Sequence, residues 1–193
     1  MHHIYHTEGL ILGSKNFGEA EKYYYIFTRE LGMVYASASG VRKMSSKLRF
    51  VLQDFAYVHV DLVQGHEFWR ITSASKTDEL GAFARNGEAV EIYAQIAYLL
   101  RRLLAGVEAH SALFDDVLQG LRLLEKFSTR EELKNAEMVI VLRILHKLGY
   151  VSGGVALEAI LQAPLTEELI HGASEKRTHI VREINKALKE TQL

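Results

Sequence analysis

Up to about Thr77 the apolar and aromatic residues recur with a period of two. Tyr23, Tyr25 and Phe27 would share one face of a strand, with Tyr24 and Ile26 on the other. Phe55, Tyr57 and His59 alternate with Ala56, Val58 and Val60, and Trp69 and Ile71 alternate with Phe68, Arg70 and Thr72. Such alternation in aromatic and β-branched residues is the mark of strands. Gly13, Gly32, Gly40 and Gly65 fall between the runs, where turns are needed. The spacing predicts strands over 4–13, 20–28, 32–40, 50–63 and 66–75. Five short antiparallel strands in so little chain favour a small closed barrel, which leaves no open edge.

After Asp78 the period changes. Ile92, Ile96, Leu99 and Leu103 repeat at helical spacing, as do Phe114, Val117, Leu118, Leu121 and Leu124. Thr129-Arg130-Glu131-Glu132 has the form of a capping box and opens a helix predicted to run to Leu148, with Gly149 as its stop. Within it, Met138 to Leu145 is apolar nearly all round, which places this helix at the centre of a bundle. Weaker helical segments follow near 155–162 and 166–172, around Pro164. A last amphipathic helix carries Ile180, Val181, Ile184 and Leu188. The expected fold class is therefore α+β with segregated units, a barrel over residues 1–78 and a helical bundle over 79–193.

Composition narrows the function. A 193-residue chain with 48% hydrophobic and 24% charged residues can build a core. Its formal net charge of -1 argues against a uniformly basic surface, so any polyanion site must be a local patch. With no cysteine it can form neither a disulfide nor a thiolate metal site. No signal peptide is expected from Met1-His2-His3-Ile4-Tyr5, and no apolar run approaches the roughly 20 residues needed to span a bilayer. A cytoplasmic location is the expectation.

The local patch is Gly40 to Arg49. Arg42, Lys43, Lys47 and Arg49 fall within eight positions, with no acid between Ser39 and Gln53, although acids and bases otherwise balance at 24 to 23. The bland reading is a solvated loop. The sharper one is phosphate binding, with Ser45 and Ser46 as additional donors. Tyr35, Tyr57, Phe68 and Trp69 lie near it in the predicted strands. Most strand aromatics are core, and Phe68 stands out because it shares a face with Arg70 and Thr72. Those two features make Arg42, Lys43, Lys47, Arg49, Arg70 and Phe68 the candidate nucleic-acid contacts.

Other chemistry finds no support. Gly9 to Lys15 falls one residue short of a phosphate-loop spacing and lies in a strand. The histidines are scattered, without a metal-ligand pattern, and no nucleophile elbow or dinucleotide fingerprint occurs. Neither a cofactor, a metal nor a catalytic residue is expected.

The N-terminal series resembles a known family. It comprises Tyr5-His6-Thr7-Glu8-Gly9-Leu10-Ile11-Leu12, Gly18-Glu19-Ala20-Glu21-Lys22, Phe27-Thr28-Arg29-Glu30-Leu31-Gly32, Gly40-Val41-Arg42-Lys43, and Ser46-Lys47-Leu48-Arg49 with Leu52-Gln53 and Phe55. In this order and spacing it is similar to the N-terminal domain of the RecO recombination mediators. A looser match follows at Leu142-Arg143-Ile144-Leu145 and Leu148-Gly149-Tyr150. The resemblance implies an OB-fold followed by a helical domain. It also implies binding of single- and double-stranded DNA, strand annealing, and help in loading RecA. The implied partners are RecR and the acidic C-terminal tail of single-strand-binding protein. The family's basic barrel positions match Arg42, Lys43, Lys47 and Arg49. Many relatives carry a four-cysteine zinc site soon after the Leu-Gly-Tyr segment, whereas this chain has Val151-Ser152-Gly153-Gly154, so zinc is not expected. Two alternatives stand beside this: an OB-fold adaptor whose basic loop docks an acidic peptide, and an RNA-binding protein.

Overall fold

A computed structural model of the chain describes residues 3–77, 80, 86–104, 106 and 108–191. The boundary expected between residues 78 and 79 lies outside them. By its contacts the chain divides into two compact units, Met1–Gly81 with Ala97–Phe114, and Ala82–Ile96 with Asp115–Leu193.

The first unit is built on five strands: β1 (Ile4–Phe17), β2 (Glu21–Thr28), β3 (Gly32–Ala38), β4 (Tyr57–Gln64) and β5 (Trp69–Lys76). They close a barrel in the order β1-β2-β3-β5-β4. β1 is long enough to serve two neighbours, pairing Ile4 to Leu10 with β4 and Gly9 to Phe17 with β2. One pairing departs from the all-antiparallel expectation, because β3 and β5 run parallel. An odd number of strands in a closed ring forces this, since two neighbours must share a direction.

The period-two pattern fills the barrel. Tyr24 and Ile26 from β2, Val34, Ala36 and Ala38 from β3, Val58, Val60 and Leu62 from β4, and Trp69 and Ile71 from β5 form one buried cluster with Ile11. Part of the opposite wall is buried as well. Phe27 and Tyr57 meet Phe114 at ring separations of 5.3 and 6.2 Å, and the Arg101 guanidinium lies 4.0 Å from the Tyr25 ring centre.

The strand expected over 50–63 is corrected at its start. Leu48–Val51 forms a short helix, α1, and the strand begins only at Tyr57. Between them Phe55 adopts a left-handed φ of 71°, which no strand residue can hold. Leu48 and Val51 pack partly against the barrel cluster, so the apolar run that reads as strand serves as a plug. The last strand is corrected from 66–75 to 69–76, which moves Phe68 into the preceding turn.

Helices α2 (Gly87–Leu103), α3 (Ser111–Leu124), α4 (Arg130–Lys147), α5 (Val155–Gln162), α6 (Glu167–Gly172) and α7 (Arg177–Glu190) follow, with a 3-10 turn at Ala173–Lys176. In the second unit α4 packs against α5, α6 and α7. Met138, Val139, Ile140, Leu142, Ile144 and Leu145 are buried, as their all-round apolar pattern requires. Its ends are those expected. Thr129 and Glu132 form the capping box. Gly149, at φ 83°, turns the chain so that Tyr150 N–H bonds back to the Leu145 carbonyl at 2.8 Å. Among the described residues no helix is long and apolar enough to cross a membrane.

Candidate nucleic-acid interface

The basic segment is the connection from β3 through α1 to β4, and it is anchored at both ends. Val41 and Leu52 are buried in the barrel cluster at 1% and 3% exposure. The Arg42 N–H donates to the Ala20 carbonyl, and its guanidinium Nη1 donates to the Gly18 carbonyl at 2.7 Å, which ties the segment to the β1–β2 turn. Bonds from Lys43 N–H to Gly40 and from Ser46 N–H to Lys43 fold the loop into successive turns. Cations on so constrained a backbone are held in place rather than trailing in solvent.

Arg42 and Arg49 line one open depression of about 520 Å3 together with Lys22, Met44, Gln53 and Asp54. Lys43 and Lys47 are exposed on the same loop outside that lining. Arg49 is braced, its Nη1 3.0 Å from the Met44 sulfur and its guanidinium 5.0 Å from the centre of the Phe50 ring. Both of those apolar neighbours face solvent, Met44 at 85% and Phe50 at 65% exposure. Three cations against the single carboxylate of Asp54 leave the depression positive. A second depression, lined by His6, Thr7, Glu8, Arg29, His59 and Asp61 among others, differs in this respect. It holds three carboxylates, Glu8, Glu30 and Asp61, against the single guanidinium of Arg29, which meets Glu8 at 2.7 Å, while His6 lies 2.6 Å from Asp61.

Arg70 and Phe68 are not among the residues that line this depression. They belong to the outer wall of the barrel. Phe68, 41% exposed, sets its ring edge-on to Tyr23 and Tyr35 at 5.3 and 5.8 Å. Tyr23 and Tyr35 are stacked at 5.0 Å, and Phe17 meets Tyr23 edge-on at 5.1 Å. Burial and the neighbouring phenols Tyr25 and Tyr23 push the Tyr35 hydroxyl above its ordinary pKa. The other two aromatic candidates are structural: Tyr57 is buried at 3% and Trp69 at 9% exposure. The sequence reading did not single out Lys22, Met44, Phe50, Tyr23 or Phe17 as contacts. For Met44 and Phe50 a signal existed, since each is a large apolar residue embedded in the charged segment.

Among the described residues no group of three or more histidine, aspartate or glutamate side chains is arranged to hold a metal ion.

A family model described as "Recombination protein O N terminal" matches residues 1–79, the barrel. The chain is 30% identical over 149 residues to a DNA repair protein RecO of Heliobacterium modesticaldum, covering 76% of this chain and 52% of that protein. It is 25% identical over 158 residues to the RecO of Pelotomaculum thermopropionicum, with 79% and 62% covered. A Nocardioides RecO matches at 34% over 71 residues, 37% of this chain and 29% of that protein. The chain thus spans about half the length of the curated relatives it matches, or slightly more. The family model and these matches agree, and through its barrel, residues 1–79, the chain belongs to the RecO family.

Proposed function

We propose that this protein is a non-catalytic mediator of DNA recombination and repair. Its barrel domain, residues 1–78, binds single- and double-stranded DNA through Arg42, Lys43, Lys47 and Arg49. Neutralising the phosphates of two strands lowers their mutual repulsion, so annealing needs no covalent step and no cofactor. In this reading the helical domain, residues 79–193, supports work with RecR and the tail of single-strand-binding protein, and RecA loading follows in the cytoplasm.

The observation that carries the reading is the positive depression at the end of the barrel, where Lys22, Arg42 and Arg49 converge on an anchored loop. The test is the salt dependence of single-stranded DNA binding. Each phosphate contact contributes about -0.7 to the slope, so the four loop cations together contribute roughly -3. A fourfold rise in salt then weakens binding by a factor of about 50 through these residues alone. Replacing all four with alanine should flatten the slope by that amount while the chain stays folded; loss of the Arg42 bond to the Gly18 carbonyl and of the Arg49 packing on Phe50 should lower the melting temperature only slightly, because surface charges contribute little to stability. A folded quadruple variant with the parental slope and affinity removes the loop from the DNA site and favours the adaptor reading. Matched DNA and RNA oligonucleotides decide between the nucleic acids.

A further inference from the structure

The chain has four methionines and no cysteine, so its thioethers are the side chains that a peroxide meets first. Among the described residues the three methionines are placed very differently. Met138 is buried in α4 at 6% exposure, and Met33 is half-buried in β3. Met44 stands on the basic loop at 85% exposure, on a backbone that the turns at Lys43 and Ser46 hold in shape. Packing does not account for an apolar side chain left this open. Its polar neighbour is Arg49, whose Nη1 donates to the sulfur at 3.0 Å. A thioether is a weak acceptor, so this bond leaves Arg49 able to turn to a stronger one.

Oxidation supplies a stronger one at the same atom. The sulfur lone pair attacks the terminal oxygen of a hydroperoxide and the O–O bond breaks. The proton of the attacked oxygen passes to the departing one, which leaves as water or an alcohol. Sulfur loses two electrons, the peroxide gains two, and the product is methionine sulfoxide. At Met138 the new polar group would sit in an apolar core and cost stability. At Met44 it faces solvent, and the fold has nothing to lose. The added oxygen is bonded to the sulfur that Arg49 already reaches, and a hydrogen bond from a guanidinium to it is charge-assisted. Arg49 is also one of the three cations that make the loop depression positive.

We propose that Met44 is a redox modification site, oxidised by hydroperoxides to a sulfoxide whose oxygen takes Arg49 as its donor and competes with phosphate for it. The consequence for binding rests on the nucleic-acid reading above; the modification itself does not. Reduction by a methionine sulfoxide reductase restores the thioether and releases the guanidinium. The loop thus loosens its hold on phosphates under peroxide and regains it afterwards.

The experiment treats the parent, Met44→Leu and Arg49→Ala with hydrogen peroxide at a dose that leaves their circular dichroism unchanged, and locates the added oxygen by peptide mass spectrometry. Met44 should gain oxygen before Met33 and Met138. The side-chain N–H resonance of Arg49 in the free parent should shift on oxidation and return after reductase treatment, which reads the new bond without DNA. Binding of a thymidine oligonucleotide is then titrated against salt. Oxidation should move the parent's slope toward that of Arg49→Ala, which is shallower than the unoxidised parent's by about 0.7. Met44→Leu should show one slope before and after peroxide, and so should Arg49→Ala. Oxidation of Met33 or Met138 ahead of Met44, an unmoved Arg49 resonance, an unchanged slope in the oxidised parent, or an equal change in oxidised Met44→Leu overturns the proposal. An unoxidised parent that binds no oligonucleotide overturns the nucleic-acid reading, and the mass spectrum and the Arg49 resonance then decide the modification site by themselves.

Discussion

Tyr57 shows what holds a strand aromatic in the core, as its place in the alternating pattern suggests. Its hydroxyl donates to the Glu8 carboxylate, which also accepts from Arg29 Nε at 2.7 Å. Burial alone would raise the Glu8 pKa, but the bonds from Arg29 and Tyr57 and the charges of Arg29 and His59 hold it below the usual carboxylate value. Burial, with the bond to Glu8 next, pushes the Tyr57 hydroxyl up to about 12. Burial and the nearby Asp54 charge do the same for Tyr24, also to about 12. Both values lie above the 10.0 of a free phenol, so the folded state retains these protons where the unfolded chain releases them. Their contribution is intact below pH 10 and is lost as pH rises through 12. Each phenol should remove about 1.4 kcal/mol of stability per pH unit in that window. Urea denaturation at pH 9 to 12 measures this, and Tyr24→Phe should show a shallower alkaline decline than the parent. An equal decline in both would mean that Tyr24 ionises freely in the fold.

Among the elements, those with local signals were legible and those without were not. α4 announced its start through Thr129 and Glu132, its end through Gly149, and its burial through an apolar run without a polar stripe. The interruption at Arg143 was visible, but its reason lay elsewhere in the chain. The buried Arg143 donates to the Ile160 carbonyl at 2.8 Å and to the Ala163 carbonyl, and pairs with Asp116 at 3.4 Å, pinning the end of α5. Replacing the fully buried Leu142 by Asp strands a charge beside this packing and should cost several kcal/mol. Thermal denaturation with the parental midpoint would place that side chain outside the core. α1 was not legible because four residues cannot display a helical period, and Val51 to Val60 alternates well enough to pass for strand. The candidate site residues divide in the same way. The basic loop is a contiguous charge anomaly and can be read directly. The aromatic wall joins residues 17, 23, 35 and 68, and no single segment holds the register that assembles them.

For the molecule as a whole, the barrel is fastened unequally around its circumference. β1 holds β2 and β4 along much of its length, whereas β3 and β5 meet only at Ala36–Trp69 and Ser37–Arg70. The least costly opening of this closed sheet is therefore a parting at that latch, which leaves the other ladders hydrogen-bonded. Amide hydrogens near residues 36–37 and 69–70 should exchange with deuterium ahead of those in the β1–β2 ladder. Any contact that reaches from β3 to β5 therefore favours the closed ring, and its formation and the ring's closure are one linked equilibrium. The barrel is in this sense a hoop closed by one short rivet, and its resistance to opening is set by those two residue pairs rather than by the long ladders around it.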